Sequence, residues 1–365
     1  MPLPCICTLL GDMLRGIPKN ICALCMEQMM KIDAGLSADM REVSDQVRRL
    51  EALGYDGVRV SELNHDPFLP LTLAAEHSER IELVTSVAVA FSRNPMTMAQ
   101  LAHDLNAYSK GRLILGLGSQ VKPHIERRFS MPWYKAARQM RDFLEAMQAI
   151  FDCWYDGEQL DYVGEYYQHT LMPRTFRPDN IEAGRPRVTL SATGPLMTKI
   201  AAEIADGMIM HPFSSEKFMR EVTIPAIEQG LGKRGVALID FELDYAPIVA
   251  TGTTEESMQR ATAAARDRIA FYGSTEAYKP VFDVHGWGDL QVELNKLNKR
   301  EQQGEMAALI SDEVLHTIAI VGEPDEVVTA MKARFGDLIG RTGFALPGGS
   351  DEELAACLSR LREPS

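Results

Sequence analysis

A short polar segment at 61–66 carries the side chains best suited to proton transfer. It reads Ser-Glu-Leu-Asn-His-Asp and directly follows an apolar run that is typical of a strand. A carboxylate and an imidazole this close together are groups that enzymes use as acids and bases, so His65 and Glu62 are candidate catalytic residues. Asn64 is a candidate donor to a cofactor. The alternative is an ordinary loop that only caps the next helix.

A helix start at 193–195 offers a second kind of chemistry. Pro195 suits the first position of a helix, where its missing N–H group costs nothing. The free N–H groups beyond it, together with the helix dipole, form a potential anion site. Thr193 adds a hydroxyl and Gly194 leaves space, so the three residues are candidates to bind a phosphate. A purely structural turn is the other interpretation.

Two glycines mark a third position where a ligand could approach the backbone. Gly116 and Gly118 lie on alternate residues of an apolar run, so the side of the strand that they share has no side chains. This gap suits either a ligand or a crowded barrel interior. Ser119 follows directly and completes the candidate binding segment.

Two further strand ends and one insertion hold weaker candidates. Thr85, Ser86 and Val87 lie in the second half of the third predicted strand, where small residues would let a flat ring approach the backbone. An ordinary buried strand is the better explanation of these residues. His211 ends the sixth predicted strand, a position that makes it a catalytic candidate. The alternative is that its side chain only forms a hydrogen bond with the following turn. An insertion could form an aromatic lid or simply pack on the barrel. Its aromatic residues are Tyr272, Tyr278, His285 and Trp287.

Strands and helices alternate strictly along the chain from Met30 onward. Such alternation predicts a parallel sheet, and eight β-α units favour a closed (β/α)₈ TIM barrel with insertions over an open doubly wound sheet. The predicted strands are 31–35, 57–62, 81–90, 112–118, 187–192, 207–211, 241–250 and 341–345. The predicted helices are 39–53, 69–78, 95–109, 135–154, 196–205, 218–231, 255–272, 325–335 and 351–361, with a hairpin at 159–168.

Composition limits the classes of partner. The chain has 365 residues and a net charge of -13, so binding to a nucleic-acid backbone is disfavoured. No apolar run approaches the roughly 20 residues that a membrane-spanning helix needs, so we expect no membrane partner. Motifs for a metal site, a serine nucleophile or a phosphate loop are absent, and no metal is predicted. A small organic substrate in the cytoplasm fits best.

The first 29 residues are predicted to lie outside the fold as a leader, with residues 30–365 forming a single domain. Four cysteines fall in this leader, with spacings that match either a zinc site or a disulfide knot. A leader without such a site is the favoured interpretation. The two remaining cysteines, Cys153 and Cys357, fit a reducing cytosol.

Several longer segments together resemble the bacterial luciferase-like superfamily of flavin and deazaflavin oxidoreductases. They are LEALGYDGVRVSE, VTSVAVAFSRNPMTMAQLAHDLNAYSKGRLILGLGSQ, YVGEYYQ, GPLMTKIAAEIADGMIMHPF and IVGEPDEVVTAM. The subgroup that uses the deazaflavin coenzyme F420 is resembled most, through SELNHDPFLPL, QVKPHIERRFSMPW and FYGSTEAYKPV…HGWGDL. The resemblance covers the chain except for residues 1–29 and implies the same barrel fold.

The resemblance also implies roles for the candidate residues. A cis peptide bond would lie near Ser86-Val87 behind the deazaflavin ring, 116–119 would lie along the cofactor, and 193–195 would hold its phosphate. Relatives carry an acid-His pair directly after the second strand, whereas here Leu63 and Asn64 separate Glu62 from His65. The implied activity is hydride transfer between F420 and an organic substrate. An FMN-dependent monooxygenase and a barrel that binds a ligand without turnover are the alternatives, and a homodimer is expected.

Overall fold

The structure is a computed structural model that describes residues 29–363. The predicted leader, apart from its last residue, and the four cysteines that it contains therefore lie outside the described residues. The two cysteines within them are unpaired and buried.

Thirteen short strands are present in the described part of the chain. They are β1 (Lys31–Gly35), β2 (Gly57–Val60), β3 (Glu82–Thr85), β4 (Ala88–Val89), β5 (Leu113–Gly118), β6 (Tyr162–Val163), β7 (Gln168–His169), β8 (Arg187–Ala192), β9 (Gly207–Met210), β10 (Glu242–Asp244), β11 (Ile248–Ala250), β12 (Ala319–Val321) and β13 (Arg341–Gly343).

Fourteen α-helical segments connect or flank these strands in the described residues. They are α1 (Met40–Ala52), α2 (Phe68–Glu76), α3 (Pro95–Tyr108), α4 (Ala136–Phe151), α5 (Pro195–Ile204), α6 (Glu216–Phe218), α7 (Ile224–Arg234), α8 (Glu255–Gly273), α9 (Lys279–Asp283), α10 (Gly288–Lys299), α11 (Gln303–Met306), α12 (Asp312–Ile318), α13 (Pro324–Phe335) and α14 (Asp351–Arg362).

The main sheet closes on itself, which confirms the predicted barrel. Its strands are parallel and run in the order β3-β2-β1-β13-β10-β9-β8-β5, and pairing between β3 and β5 closes the ring. The short β4 continues the third barrel strand along β5. All eight strands therefore end at one mouth, where the loops that carry the candidate residues meet.

Two predicted strands are each divided in the structure. The third, predicted at 81–90, is interrupted between β3 and β4 at Ser86-Val87. The seventh, predicted at 241–250, leaves the barrel after Asp244, and β11 pairs instead with β12 in a separate two-stranded sheet. Pro247 lies between β10 and β11 and has no N–H group for a strand ladder, which favours the break there.

Charged side chains fill the amino-terminal end of the barrel. Arg341 is fully buried and bonds to Asp33 at 2.6 Å and to Glu242 at 3.0 Å, and it also pairs with Glu82. Arg59 joins Asp33 to Asp244 at 2.8 and 2.9 Å. These contacts tie β1, β2, β3, β10 and β13 together from inside, because a buried charge needs a close partner.

Residues 255–318 fold into a small second core beside the mouth. Phe282, Leu294 and Ile269 are among its buried members, and Phe213 and Phe218 from the loop after β9 join it. The insertion is thereby fixed to the barrel next to the carboxyl end of β9.

Candidate active site

Small residues occupy the inward positions at the mouth of the barrel. Successive strand residues point to opposite faces of the sheet, so a residue two positions after an inward side chain also points inward. This alternation places Gly35, Ser61, Ser191, Ala246 and Gly343 on the inside of the mouth. An added Cβ on Gly35 would meet no heavy atom within 4 Å, whereas one on Gly343 would lie 3.2 Å from the Cβ of Ala246. The charged lower barrel therefore gives way to a mouth with short side chains.

The peptide bond between Ser86 and Val87 is cis, as the resemblance implied. The Ser86 N–H donates to the Val60 carbonyl at 2.8 Å, and the Ser61 hydroxyl donates to the Ser86 carbonyl at 2.7 Å. The buried Thr85 hydroxyl donates to the Gly116 carbonyl at 2.8 Å. Thr85 is thus engaged within the barrel wall, and the binding role assigned to these three residues stays a prediction.

The two glycines of β5 accommodate protein atoms. A Cβ on Gly116 would overlap the Thr85 carbonyl oxygen and lie 2.7 Å from Cδ1 of Ile209. A Cβ on Gly118 would lie 2.6 Å from Cγ2 of Val87. The sequence left open whether these glycines make space for a ligand or for a crowded barrel interior, and the structure favours the crowded interior. A role in cofactor binding stays a prediction for the glycine backbone and for Ser119.

We therefore expect Gly116→Ala to lower the free energy of unfolding by about 1–2 kcal/mol, because the new methyl group meets backbone that cannot move aside easily. Gly35→Ala is the matched control, since its Cβ enters open space, and we expect a change within about 0.5 kcal/mol. Urea unfolding measures both. Equal losses for the two variants would contradict the proposed crowding.

The acid at the end of β2 is held in an ion pair. Buried Glu62 accepts hydrogen bonds from the Val89 N–H and from Arg93, each at 2.7 Å, and Arg93 also bonds to Asp66 at 2.8 Å. Both donors bond to the same carboxylate oxygen and fix the Glu62 side chain in place. Glu62 therefore fits a structural role better than the catalytic role predicted for it.

The exposed neighbours of Glu62 are free to meet a ligand. Asn64 and His65 are both exposed and make no hydrogen bond within the described residues. Arg128, from the turn after β5, donates to the Leu63 carbonyl and fixes the backbone beside them. Of the two predicted acid-base groups in this loop, His65 is the accessible one.

The helix start that the sequence predicts at Pro195 is present in the structure. Pro195 is the first residue of α5, and Gly194 precedes it in an extended conformation with no heavy atom within 4 Å of an added Cβ. The N–H groups of Leu196 and Met197 belong to the first turn and have no intrahelical acceptor. Thr193 lies half-buried beside them. The arrangement leaves donors and space for an anion.

A narrow crevice of about 10 Å³, room for about one water molecule, lies behind this helix start, and Thr193, His211 and Ser214 are among its lining residues. Ser214 is 2% exposed, and its hydroxyl has no hydrogen-bond partner in the described part of the chain. An unpartnered buried hydroxyl is uncommon, and a single water molecule in this crevice would satisfy it. Sequence reasoning missed Ser214, because nothing in the run Ser-Ser-Glu distinguishes it.

Carboxylates line the segments that follow β11, β12 and β13, where β11 comes after the seventh barrel strand and β13 is the eighth. Glu255, Glu323, Asp325 and Glu353 border one broad cleft there. Many barrels bind phosphate at this position. Four negative charges disfavour that here, so α5 is the better place for an anionic cofactor group.

His211 lies at the carboxyl end of β9 against two tyrosines of the insertion. Its ring stacks on Tyr278 with centroids 4.4 Å apart and meets the edge of Tyr272 at 4.5 Å. Burial, with a smaller effect from the Arg268 charge, lowers the pKa of His211 to about 4. The Phe213 N–H donates to its Nδ1 at 3.1 Å, the turn contact that the sequence allowed.

The other aromatic residues of the insertion serve packing. His285 stacks on Trp287 at 4.5 Å, and its Nε2 lies 2.8 Å from the Ser215 hydroxyl. Tyr272 and Tyr278 reach the mouth, whereas His285 and Trp287 attach the insertion to the loop after β9.

Arg93 is a second residue that the sequence analysis did not assign. A usable signal existed, because Glu62 and Arg93 follow neighbouring barrel strands and carry opposite charges.

Residues 29–363 contain no helix long and apolar enough to cross a membrane. They also contain no group of three or more His, Cys, Asp or Glu residues placed to hold a metal ion.

A closed parallel barrel with polar groups and an open helix start at its carboxyl end is the architecture of barrel enzymes. Residues 23–341 match the family described as luciferase-like monooxygenase. The chain belongs to this family and is an oxidoreductase of the luciferase-like type, as the resemblance in the sequence indicated.

Relatives of similar sequence and a solved structure of the same fold include reductases. An uncharacterized protein of Mycobacterium tuberculosis is 44% identical over 333 residues, covering 91% of this chain and 98% of that protein. The 5,10-methylenetetrahydromethanopterin reductase of Archaeoglobus fulgidus is 27% identical, covering 82% and 88%. The solved coenzyme F420 dependent tetrahydromethanopterin reductase from Methanopyrus kandleri shares the fold, with a TM-score of 0.73, 20% identity and coverage of 92% and 98%.

Proposed function

We propose that this protein transfers a hydride between the deazaflavin coenzyme F420 and a small organic substrate. The observation that carries the proposal is the open anion site at the start of α5, directly beside a mouth with short side chains. A phosphate there would be held by Thr193 and by the free N–H groups that follow Pro195. A relative described as an F420-dependent glucose-6-phosphate dehydrogenase supports the choice of coenzyme.

The residues present fit such a coenzyme. Gly194 and Gly35 border open space, and the unpartnered Ser214 hydroxyl lies near the proposed phosphate position. We assign the ring to the opposite side of the mouth. Its proposed neighbours are Asn64, Thr85, Ser86, Val87, Gly116, Gly118 and Ser119. When bound, the deazaflavin supplies a carbon that gives or accepts a hydride.

His65 is our candidate for the proton that accompanies the hydride. It is exposed at the mouth and makes no hydrogen bond within the described residues, whereas Glu62 is held by Arg93. An imidazole can both donate and accept a proton, which suits an acid-base group. His65→Asn tests the assignment, since we expect kcat to fall while the affinity for coenzyme stays within about twofold of wild type.

An FMN-dependent monooxygenase is the second candidate, and the family description itself favours it. The same helix start could hold the phosphate of FMN. The two reactions differ in oxygen consumption, because a deazaflavin does not readily form the oxygen adduct that such monooxygenases use.

A fluorescence titration of the full chain with F420 and with FMN separates these functions. We expect F420 to bind at least tenfold more tightly than FMN. Selective FMN binding together with oxygen uptake would replace the proposal by the monooxygenase. Binding of neither coenzyme by a folded protein would favour a barrel that binds a ligand without turnover.

Cellular location and assembly belong to the same proposal. We propose a cytoplasmic enzyme, which fits the unpaired state of Cys153 and Cys357. A homodimer is also proposed, and sedimentation equilibrium measures it directly.

A further inference from the structure

One side of the mouth is an aromatic wall, which we define as His211, Tyr272, Tyr278 and Phe213. The rings contact one another, with Phe213 and Tyr278 centroids 5.8 Å apart and Phe213 and Tyr272 centroids 6.4 Å apart. Phe213 is buried, whereas the other three are half-buried. The wall is fixed from behind, because Phe282 meets Phe213 edge-on at 5.2 Å.

Hydrogen bonding fixes which nitrogen of His211 carries the proton. Since the Phe213 N–H donates to Nδ1, that nitrogen is the acceptor and Nε2 is the one that carries hydrogen. Nε2 makes no hydrogen bond within the described residues. His211 directly follows β9, two positions after Ile209, and Ile209 reaches inward to within 2.7 Å of the Cβ position of Gly116. The strand alternation therefore directs the His211 ring toward the mouth.

The surroundings keep this donor uncharged. Tyr272 and Tyr278 flank the ring, and burial raises the pKa of the Tyr278 hydroxyl to about 12, so it carries no negative charge. Arg268 lies over the Tyr272 ring at 5.8 Å and is a cation that opposes protonation of His211. Among residues 29–363, no carboxylate forms an ion pair with the imidazole.

We propose that the aromatic wall is the substrate face and that His211 donates its Nε2 hydrogen to the oxygen of a flat, uncharged carbonyl compound or the corresponding alcohol. This rests on the proposed function and deepens it by naming the substrate class. Aromatic rings favour an apolar planar group, and one neutral donor orients its oxygen. His211 is a hydrogen-bond donor that keeps its proton, so proton transfer is left to His65.

Acetophenone and benzoate are suitable probes, because they have similar shape and differ in charge. Binding is followed by NMR of the histidine ring nitrogens in the full chain, with and without F420. We expect acetophenone to shift the His211 signals, which the H211N variant identifies by their loss. Benzoate should bind at least tenfold more weakly, because the apolar rings would have to desolvate its charge without a fixed partner.

Two variants separate the hydrogen bond from the packing. His211→Phe keeps an aromatic ring and removes the donor, so we expect a loss of about tenfold in acetophenone affinity. His211→Asn retains an N–H donor and should recover part of that loss. His316→Asn is the matched control, since this exposed histidine bonds only within α12, and its affinity should equal wild type.

The outcomes distinguish this inference from the proposed function. Benzoate binding as tight as acetophenone binding would overturn the substrate class and assign the wall to anions near Arg268. Unchanged affinity in a folded His211→Phe protein would overturn the donor role. Failure of F420 to bind in the same samples would overturn the proposed function alone, because the ring shifts with acetophenone are measured without coenzyme as well.

Discussion

Replacing Arg341 with methionine is expected to lower the free energy of unfolding by about 3–5 kcal/mol, because removing one partner leaves buried carboxylates uncompensated. Arg341 is 1% exposed and pairs with Asp33, Glu82 and Glu242, which come from three different barrel strands. Methionine fills a similar volume, so the loss reports charge rather than a cavity. Urea unfolding at pH 7 measures it.

The same variant should change the response to acid. Although burial opposes it, Arg341 and Arg187 lower the pKa of Glu82 from 4.5 to about 2. The stability that this lowered pKa contributes is fully present above pH 4.5 and is lost as the pH falls toward 2. Without Arg341 the pKa of Glu82 rises, so the variant should lose stability at a higher pH than wild type.

Arg41→Met is the matched control for this substitution. Arg41 pairs with Asp39 on the surface, where an ion pair contributes little because water screens it. We expect its free energy of unfolding to stay within about 0.5 kcal/mol of wild type. A loss below about 1 kcal/mol for Arg341→Met would contradict the view that this network holds the barrel together.

Replacing Gly194 with aspartate is expected to weaken F420 binding by between about tenfold and a hundredfold, because a fixed carboxylate would repel the phosphate at close range. The substitution fits the fold, since Gly194 has a negative φ of -91° and open space at its Cβ position. Aspartate at this helix-capping position also accepts hydrogen bonds from the first turn, so α5 should be as stable as before.

Gly194→Asn separates charge from the loss of space. Asparagine caps the helix in the same way and carries no charge, so we expect it to weaken binding several-fold less than aspartate does. Fluorescence titration measures the affinity, and circular dichroism checks the fold. Equal affinities for wild type and Gly194→Asp would place the phosphate elsewhere in the barrel.

Local patterns in the sequence were sufficient for the barrel and for the helix start at Pro195. The alternation of apolar runs with helices predicted eight parallel strands, because each crossover must return the chain to the same end of the sheet. Pro195 predicted the first residue of α5 within one position, since its fixed φ and missing N–H suit that place. Both depend on residues that are neighbours in the chain.

The divided strands were less accessible to sequence reasoning. The run at 241–250 is apolar enough for one strand, and only its pairing shows that β11 belongs with β12. The hydrogen bonds that decide this come from a segment about 70 residues later in the chain. Such pairing depends on the closed barrel and cannot be derived from the run alone.

The sequence by itself determined the fold class, the helix start that can hold an anion and the loops in which polar candidates occur. Tertiary structure decided which candidates are available. It paired Glu62 with Arg93, filled the space beside Gly118 with Val87 and placed His211 between two tyrosines of a distant insertion. The physical reason is that burial, charge pairing and contact depend on residues far apart in the chain, whereas strand alternation and helix capping depend on adjacent ones.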